Sequence, residues 1–230
     1  MNRIIFITDI HSSYTKFINL LEENNYDDKN DILVLGGDYF DRGKESRLMA
    51  QWLIDNYKKP NVHLIRGNHD DFMMDLLEGR NEFYKFNYER NGLKNTVKDF
   101  IKPNYFYDPY RVASMIRHKF PLLTDVMKSL KNYVEIDGNI FTHGGLPVNF
   151  RNNTNENDWL NARWGRSLDW AKSNPFPEEK AIYIGHWTIY HMKIPQDIFK
   201  YKPQKINNIT FCDGGLSYWD SDGLALVIDL

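Results

Sequence analysis

The sequence predicts an α/β protein, and three observations support this fold class. Six short apolar runs, most of them rich in β-branched residues, end near Gly, Asp or Asn, as buried strands do. Apolar residues at helical spacing separate the first three runs, which is the alternation expected of an α/β fold. The runs then return in the last third of the chain. They are residues 3–7, 32–35, 62–65, 140–141, 182–184 and 209–211.

Three amphipathic helices are predicted between and after the first three runs. Tyr14, Phe17, Ile18 and Leu21 recur at helical spacing, and we expect this stripe to face the core. Gly79 is a plausible end for the third helix. The other two stripes are Leu48, Met49, Trp52 and Leu53, and then Phe72, Met73, Leu76 and Leu77.

Residues 80–135 break this alternation and contain many aromatic residues. We predict helices over about 112–118 and 122–133 and interpret the segment as an insertion over the crevice. Its aromatic side chains either pack the insertion against the main body or line a groove for a base or a peptide. The predicted organisation is one domain, residues 1–230, with this helical cap at about 80–135.

The rest of the chain is predicted to contain a long connection and a closing hairpin. Residues 151–177 are rich in Asn and contain Pro, with a helical patch at 159–171, and long connections in compact domains are often functional. Turn residues at 220–223 separate the apolar runs 209–212 and 224–230. We expect these two runs to pair as a β-hairpin.

Composition excludes several classes of protein. The 230 residues include 29 basic and 31 acidic ones, for a net charge of −2, and no run of like charge suggests stable nucleic-acid binding or a polybasic membrane anchor. No apolar stretch approaches the ~18 residues of a membrane span. The solitary Cys212 excludes an intramolecular disulfide and favours a reducing compartment. We expect a cytoplasmic protein without a membrane partner.

Polar residues of the metal-ligand type follow each apolar run. Because the carboxyl ends of neighbouring strands meet at one crevice of an α/β sheet, these side chains are expected to converge. Aspartate, asparagine and histidine suit divalent cations such as manganese, iron or zinc. The sequence therefore predicts a metal-dependent hydrolase. The residues are Asp9, His11, Asp38, Asp41, Asn68, His69, His143, His186 and Asp213.

Two motifs are more specific than a single ligand. In residues 36–43, two glycines allow a sharp turn, so Asp38 can enter the crevice and bridge two cations, while Arg42 offers a planar fork to a phosphate. The alternative is a solvated Asp/Arg turn. In residues 67–70, Asn68 offers a neutral oxygen ligand, and the alternative is a helix N-cap at Asn68 or Asp70.

The ordered motifs resemble those of the calcineurin-like metallophosphoesterases. They are Asp9-x-His11, Gly37-Asp38-x-x-Asp41-Arg42-Gly43, Gly67-Asn68-His69-Asp70, His143-Gly144-Gly145 and Gly185-His186. Within that family the chain is similar to the bacterial and phage phosphoprotein phosphatases and the related diadenosine tetraphosphatases. Asn91-Gly92 with Thr96, and the segment 212–215, resemble ancillary patterns of that branch. The resemblance implies an αββα sandwich, in which two mixed β-sheets are flanked by helices.

The resemblance also implies a role for each motif. His69 would be the general acid, oriented by Asp41, and Arg42 would bind the substrate phosphate. Arg163 is our choice for a second phosphate-binding arginine, with Arg166 as the alternative. Ser12 departs from the family, which has Gly after the first histidine. The first metal ion would be held by Asp9, His11 and Asp38, and the second by Asp38, Asn68, His143 and His186.

These roles imply a phosphoesterase with two divalent metal ions, manganese as the first choice and iron or zinc as alternatives. A hydroxide bridging the ions would attack a phosphomonoester in line, and we expect a phosphorylated substrate, namely a Ser/Thr phosphoprotein. The alternative is hydrolysis of a dinucleoside polyphosphate such as diadenosine tetraphosphate. A third possibility is a non-catalytic interaction module, but such relatives lose ligands or the acid, and all of these are present here.

Overall fold

Two β-sheets packed face to face, each with helices on its outer side, form the body of the protein. The computed structural model describes residues 3–80, 82–101, 108–165, 168–192, 202–218 and 221–230. The strands are β1 (Arg3–Ile7), β2 (Asp31–Leu35), β3 (Val62–Leu64), β4 (Tyr133–Ile136), β5 (Asn139–Thr142), β6 (Ala181–Ile184), β7 (Gln204–Ile206), β8 (Ile209–Phe211) and β9 (Leu226–Asp229).

Both sheets are mixed. The first has the order β3-β2-β1-β9, in which β1, β2 and β3 are parallel and β9 runs antiparallel to β1. The second has the order β4-β5-β6-β8-β7, with a parallel centre and an antiparallel strand at each edge. This arrangement confirms the predicted fold class.

The described helices lie on the outer faces of the two sheets. They are α1 (Tyr14–Glu23), α2 (Ser46–Asn56), α3 (Asn68–Glu78), α4 (Tyr84–Arg90), α5 (Leu93–Phe100), α6 (Pro109–Lys119), α7 (Leu123–Ser129), α8 (Glu156–Arg163) and α9 (Leu168–Lys172). Two short 3₁₀ helices occupy Phe150–Asn152 and Ile189–Met192. Within the described residues, every helix is too short or too polar to cross a bilayer.

Three apolar clusters match the layers of a sandwich. Phe6, Val34 and Phe141 belong to the cluster between the sheets. A large cluster joins the first sheet to α1–α7, and a smaller one joins the second sheet to α8 and α9. Strands β1, β2, β5 and β8 are therefore buried on both faces, as their nearly continuous apolar runs predict. The edge strands β4, β7 and β9 are partly exposed.

The predicted closing hairpin is wrong. Strand β8 pairs with β6 and β7 in the second sheet, whereas β9 pairs with β1 in the first. The backbone of β1 offers β9 an open edge, with Ile5 opposite Val227, so the segment between the two strands crosses from one sheet to the other. Asp220, in the predicted turn, lies outside the described residues.

Four helices, α4–α7, occupy the aromatic-rich segment. Helices α6 and α7 pack on α3, and α5 packs on α2. The large apolar cluster beside the first sheet includes Tyr84, Tyr88 and Phe100, which agrees with the interpretation that these aromatic residues pack the segment against the main body. Phe83 and Tyr110 are exposed. Tyr105, Phe106 and Tyr107 lie outside the described residues.

Candidate metal centre

Loops that follow the parallel strands bring the predicted ligands together. The loops after β1 and β2 are joined by backbone hydrogen bonds, since the N–H of Asp9 donates to the Gly37 carbonyl at 3.1 Å and that of His11 to the Asp38 carbonyl at 2.8 Å. Between the sheets, the N–H of His186 donates to the Asp9 carboxylate at 2.8 Å. The crevice at the carboxyl ends of the strands therefore contains ligands from both sheets.

Left-handed backbone conformations are concentrated in these loops. Twelve described non-glycine residues have positive φ, and seven of them are site-loop residues: Asp9, His11, Ser12, Asp38, Asp41, Arg42 and His186. The other five are all Asn or Asp, the side chains that tolerate this region best. Strained conformations of this kind persist where the surrounding structure fixes them, commonly at functional sites. Ser12, at φ 55°, shows why a glycine would fit that position.

Two glycines allow the loops to approach each other closely. A Cβ on Gly67 would lie 2.2 Å from the Asp38 carboxylate, and a Cβ on Gly185 would lie 2.3 Å from that of Asp9. No real side chain could occupy either position without moving the neighbouring carboxylate. The glycines of the two motifs therefore provide the space in which the carboxylates sit.

Asp38 lies at the centre of the cluster. It is 1% exposed. One carboxylate oxygen is 3.5 Å from His11 Nε2, and the other is 3.4 Å from His143 Nε2. The oxygen that faces His11 is buried and has no hydrogen-bond partner among the described residues. A buried carboxylate oxygen without a partner is costly, and a cation bound beside it would remove that cost.

Hydrogen bonds fix which imidazole nitrogen faces the cluster. The Nδ1–H of His11 donates to the Phe40 carbonyl and that of His143 to the Gly36 carbonyl, both at 2.8 Å. Each ring therefore presents the lone pair of Nε2, as metal-binding histidines do. His143 Nε2 also lies 2.9 Å from the Asn68 amide oxygen. Two electron-pair donors directed at each other suit a shared cation.

The electrostatics of the cluster also favour cations. Burial and the nearby Asp38 raise the pKa of Asp9 to about 7. Burial alone would raise the pKa of Asp38, but the surrounding imidazoles hold it below its ordinary value. Burial and Asp9 raise the pKa of Asp213 to about 8. Several carboxylates are thus buried in the same site, and bound cations would compensate their negative charge.

The side chains fit two ions. Two groups of three have their ligand atoms within 4.8 Å of one another, and Asp38 belongs to both. The second group contains His143 and His186, both of which are predicted ligands of the second ion. The first contains His69 where the sequence analysis expected Asp9. The groups are His11, Asp38 and His69, and Asp38, His143 and His186.

His69 lies between a carboxylate and the crevice. Its Nδ1–H donates to Asp41 at 2.8 Å, and Asp41 in turn accepts a hydrogen bond from the Thr96 hydroxyl at 2.9 Å. Burial disfavours the charged form of His69, but Asp38 and the Asp41 hydrogen bond outweigh this, so its pKa is raised. The arrangement orients the ring so that Nε2 can hold a proton facing the crevice.

Arg42 lies at the exposed rim of the site. Its guanidinium donates to His11 Nε2 at 2.8 Å and to His69 Nε2 at 3.2 Å. The same nitrogens cannot accept from Arg42 and also bind a metal ion or a proton. Arg42 must therefore turn away from both rings when the site is loaded, and its exposed position gives it room to meet a substrate phosphate.

The expectation that Arg163 binds phosphate is not supported by its surroundings. The side chain is 2% exposed, and its Nε donates to Asp71 at 2.8 Å. Its other two nitrogens donate to Asn132 and Glu156. Since all three nitrogens bond to protein side chains, the guanidinium serves an internal ion-pair network. The alternative, Arg166, lies outside the described residues.

Two residues for which no role at the site was predicted support its loops. The Asp70 carboxylate accepts hydrogen bonds from the backbone N–H groups of Asp38, Tyr39 and Gly67, at 2.8, 3.1 and 2.8 Å, and so braces two ligand loops. Thr96 binds Asp41 through its side chain and also accepts from the Asp41 N–H at 2.8 Å. Both belong to sequence motifs noted above, but the motifs do not reveal their partners.

The chain belongs to the calcineurin-like phosphoesterase family. The model of that family matches residues 2–224 and confirms the predicted resemblance. Individual relatives within the family are named for different activities. A symmetrical bis(5'-nucleosyl)-tetraphosphatase of Buchnera aphidicola subsp. Acyrthosiphon pisum (strain 5A) is 36% identical over 83 residues, 36% of this chain and 30% of the relative. A Mus musculus serine/threonine-protein phosphatase with EF-hands 1 is 31% identical over 88 residues, 37% of this chain and 14% of the relative.

A solved structure shares the fold over nearly the whole chain. The protein serine/threonine phosphatase from Saccharomyces cerevisiae, with similarity to human phosphatase PP5, superimposes with a TM-score of 0.60 at 16% identity. The match covers 98% of this chain and 72% of that one. The sequence matches above span less than a third of either curated relative, so the activities in these names are those of the relatives.

Proposed function

We propose that this protein is a phosphoesterase that uses two divalent metal ions. The observation that supports this most directly is Asp38, one of whose oxygens faces the imidazole of His11 and the other that of His143. A carboxylate so placed can be shared by two cations. The family match supports the same class of enzyme.

The described side chains supply a ligand set for each ion. In this proposal Asp9, His11 and Asp38 hold the first ion, while Asp38, Asn68, His143 and His186 hold the second. The family's dinuclear site agrees with this count, and manganese remains our first choice, with iron or zinc as alternatives. When bound, the pair of ions supplies Lewis acidity and lowers the pKa of water at the site.

The chain's own groups handle the leaving group and the phosphate. His69 would donate the proton on Nε2 to the departing oxygen, while Asp41 holds Nδ1 and stabilises the imidazolium. Arg42 would neutralise charge on the phosphoryl oxygens from the rim. The hydrogen bonds from Arg42 to His11 and His69 support a phosphate binder close to the proposed acid.

Two substrate classes are candidates. The motif pattern favours a Ser/Thr phosphoprotein, and the relative from Mus musculus is named as a serine/threonine-protein phosphatase. The Buchnera relative, with 36% identity, is named for a nucleotide substrate. A cleft lined by tryptophans beside the centre, described below, favours the nucleotide class.

A manganese-supplemented substrate panel tests the proposal. It contains phosphoserine, phosphothreonine and phosphotyrosine peptides, diadenosine tetraphosphate, a phosphodiester and nitrophenyl phosphate. We expect hydrolysis of at least one phosphate ester or anhydride, lost together with bound metal in Asp38→Asn. An inactive wild-type chain that binds two equivalents of manganese would instead support the interaction-module alternative.

A further inference from the structure

A cleft of about 480 Å³ lies beside the metal centre. Its volume falls within the roughly 300–1,000 Å³ of ordinary small-molecule sites. Gly144 and Gly145, which directly follow His143, form one part of its wall, and Trp187, which directly follows His186, forms another. The cleft is therefore continuous along the chain with two of the proposed ligands of the second ion.

The floor of the cleft lies at the same edge of the second sheet as the ligands. Ile184 ends β6 and Phe211 ends β8, and both side chains line the cleft. Helices α8 and α9 contribute the opposite side, including Asn161 and Trp170. A molecule whose phosphate lies at the metal centre could therefore extend its uncharged part along this edge into the cleft.

The lining suits a flat, uncharged and partly polar group. Trp170 and Trp187 supply aromatic faces, and among the described lining residues none is basic, so a phosphate is not expected there. Asp158 and Asn161 add an acceptor and an amide. One Asp158 oxygen accepts from Asn153 at 3.0 Å, which holds the carboxylate in place. A nucleobase combines a stackable face with ring acceptors and amine donors, which this set matches.

Gly145 keeps one side of the cleft open. A Cβ at this position would lie 3.7 and 3.8 Å from two ring carbons of Trp170 and 3.6 Å from the Ala162 carbonyl oxygen. These are ordinary contact distances, so a larger side chain would fit the backbone while occupying the space against the Trp170 ring. The cleft can thus be narrowed without removing either tryptophan.

We propose that this cleft binds the nucleobase of a nucleotide substrate whose phosphates lie at the metal centre. The inference rests on the proposed function and specifies its substrate class. It places the base-stacking surface at residues after His143 and His186, whereas the alternative drawn from the sequence was a groove in the 80–135 segment. The buried aromatic residues Tyr84, Tyr88 and Phe100 of that segment pack instead in the large apolar cluster between the first sheet and α1–α7.

The test uses two variants of the full chain, Trp170→Leu and Gly145→Val, with Trp52→Leu as the matched control. Trp52 is a half-buried tryptophan on α2 that packs on Phe17, far from the cleft in the fold. In both cleft variants the ratio of kcat/KM for diadenosine tetraphosphate to that for nitrophenyl phosphate should fall about tenfold, the scale of one lost stacking contact. The control should keep the wild-type ratio. Melting temperature and bound manganese are measured for each variant.

A binding measurement separates the cleft from catalysis. By calorimetry, ADP should bind the wild-type chain about tenfold more tightly than methyl diphosphate, which has the same phosphates and no base. The advantage should disappear in Trp170→Leu and Gly145→Val. Equal binding of ADP and methyl diphosphate to the wild type would overturn the cleft proposal while leaving phosphoesterase activity intact.

Two other outcomes of these experiments distinguish failure of the cleft proposal from failure of the proposed function. If the cleft variants lose phosphopeptide turnover while their diadenosine tetraphosphate kinetics stay at the wild-type level, the cleft binds peptide and the proposal is wrong. If the wild type hydrolyses no substrate of the panel, the proposed function fails. The preference for ADP over methyl diphosphate would then still decide whether the cleft holds a base.

Discussion

At the scale of single residues, the centre depends on which atom of each side chain faces the crevice. The Nδ1–H groups of His11 and His143 are each bound to a backbone carbonyl, so their Nε2 lone pairs face Asp38. His69 uses the same device with a carboxylate partner, Asp41. This difference in partner separates a neutral ligand from a ring that can carry a proton.

His69→Asn should reveal the role of the proposed acid through the leaving group. An alkyl phosphate needs a proton on its departing oxygen, so its kcat should fall about 10²–10⁴-fold. Nitrophenyl phosphate has a stable leaving group and should lose far less. Steady-state kinetics on both substrates, with bound manganese measured in parallel, provide the comparison. Equal losses on the two substrates would show that His69 does not protonate the leaving group.

Thr96→Val should show that the Asp41 carboxylate is positioned by its neighbour. The variant keeps the shape of the side chain but removes the hydroxyl that bonds both Asp41 Oδ1 and the Asp41 N–H. We expect kcat for alkyl phosphates to fall about tenfold, with a smaller effect on nitrophenyl phosphate.

Thr96→Ser is the matched control, because it restores the hydroxyl, and it should recover most of the alkyl phosphate activity. A purely structural role would lower the melting temperature and reduce turnover of both substrates alike. That result would contradict a role for Thr96 in positioning Asp41.

At the scale of secondary-structure elements, strand ends supply the ligands and helices from elsewhere hold them. The start of α5 supports the loop after β2, because Gly92 accepts a hydrogen bond from the Arg42 N–H at 3.3 Å and Thr96 binds Asp41. Helix α8 is tied to α3 through Arg163 and Asp71. Helix α5 therefore contributes to the site by supporting the loop that carries Asp41 and Arg42.

Arg163→Ala should lower stability more than it alters phosphate binding. The variant removes one of the two arginines that pair with Asp71, since Arg66 still contacts its other oxygen. The loss in stability should therefore stay below the roughly 3–5 kcal/mol of a fully broken buried ion pair. Chemical denaturation measures the loss in the free energy of unfolding. Inhibition by inorganic phosphate should stay close to the wild-type value at temperatures where the variant is folded.

Arg166→Ala is the comparison for this test, because Arg166 was the alternative phosphate-binding arginine. It should weaken phosphate inhibition. If Arg163→Ala weakens phosphate inhibition without loss of stability, the original assignment from sequence is correct and the ion-pair interpretation is wrong.

The strand-end ligands were predictable because each lies within a few residues of an apolar run. The pairing of Arg163 with Asp71 was not, since Asp71 is 92 residues away and only the tertiary fold brings the two side chains together. The predicted pairing of β9 with β8 was wrong for a related reason. Local turn residues favour a hairpin, but β9 pairs instead with the open edge of β1, which lies more than 200 residues earlier in the chain.

At the scale of the whole molecule, two sheets meet so that ligands from both halves of the chain face one crevice. Asp9, in the first sheet's loops, accepts from the backbone of His186, in the second sheet's loops. The site is therefore complete only when the two sheets pack through Phe6 and Phe141, whose ring centroids are 5.1 Å apart. Stability of the sandwich and integrity of the site are linked in this way.

An acid-dependent contribution to stability is expected from Asp31, at the start of β2. The Arg3 side chain donates to it at 3.0 and 2.8 Å, which lowers the pKa of Asp31 in the folded protein. Because the folded pKa is depressed, the contribution is complete above the unfolded value of ~3.9 and is lost as the pH falls through the folded value.

Asp31→Asn should therefore destabilise the protein by about 1–3 kcal/mol near neutral pH, and the difference from wild type should shrink below about pH 4. Urea denaturation at several pH values measures this. Asp55→Asn, at an exposed carboxylate on α2, is the control and should change the free energy of unfolding by less than ~0.5 kcal/mol. A deficit for Asp31→Asn that is constant with pH would contradict the role of its charge.

The central claim is that Asp38 is shared by two metal ions, and a crystal structure of the chain loaded with manganese tests it most directly. Anomalous diffraction should show two manganese peaks about 3.5–4 Å apart, with one oxygen of Asp38 or both within bonding distance of the pair. A single peak at full manganese occupancy, or two peaks of which only one contacts Asp38, would contradict the claim.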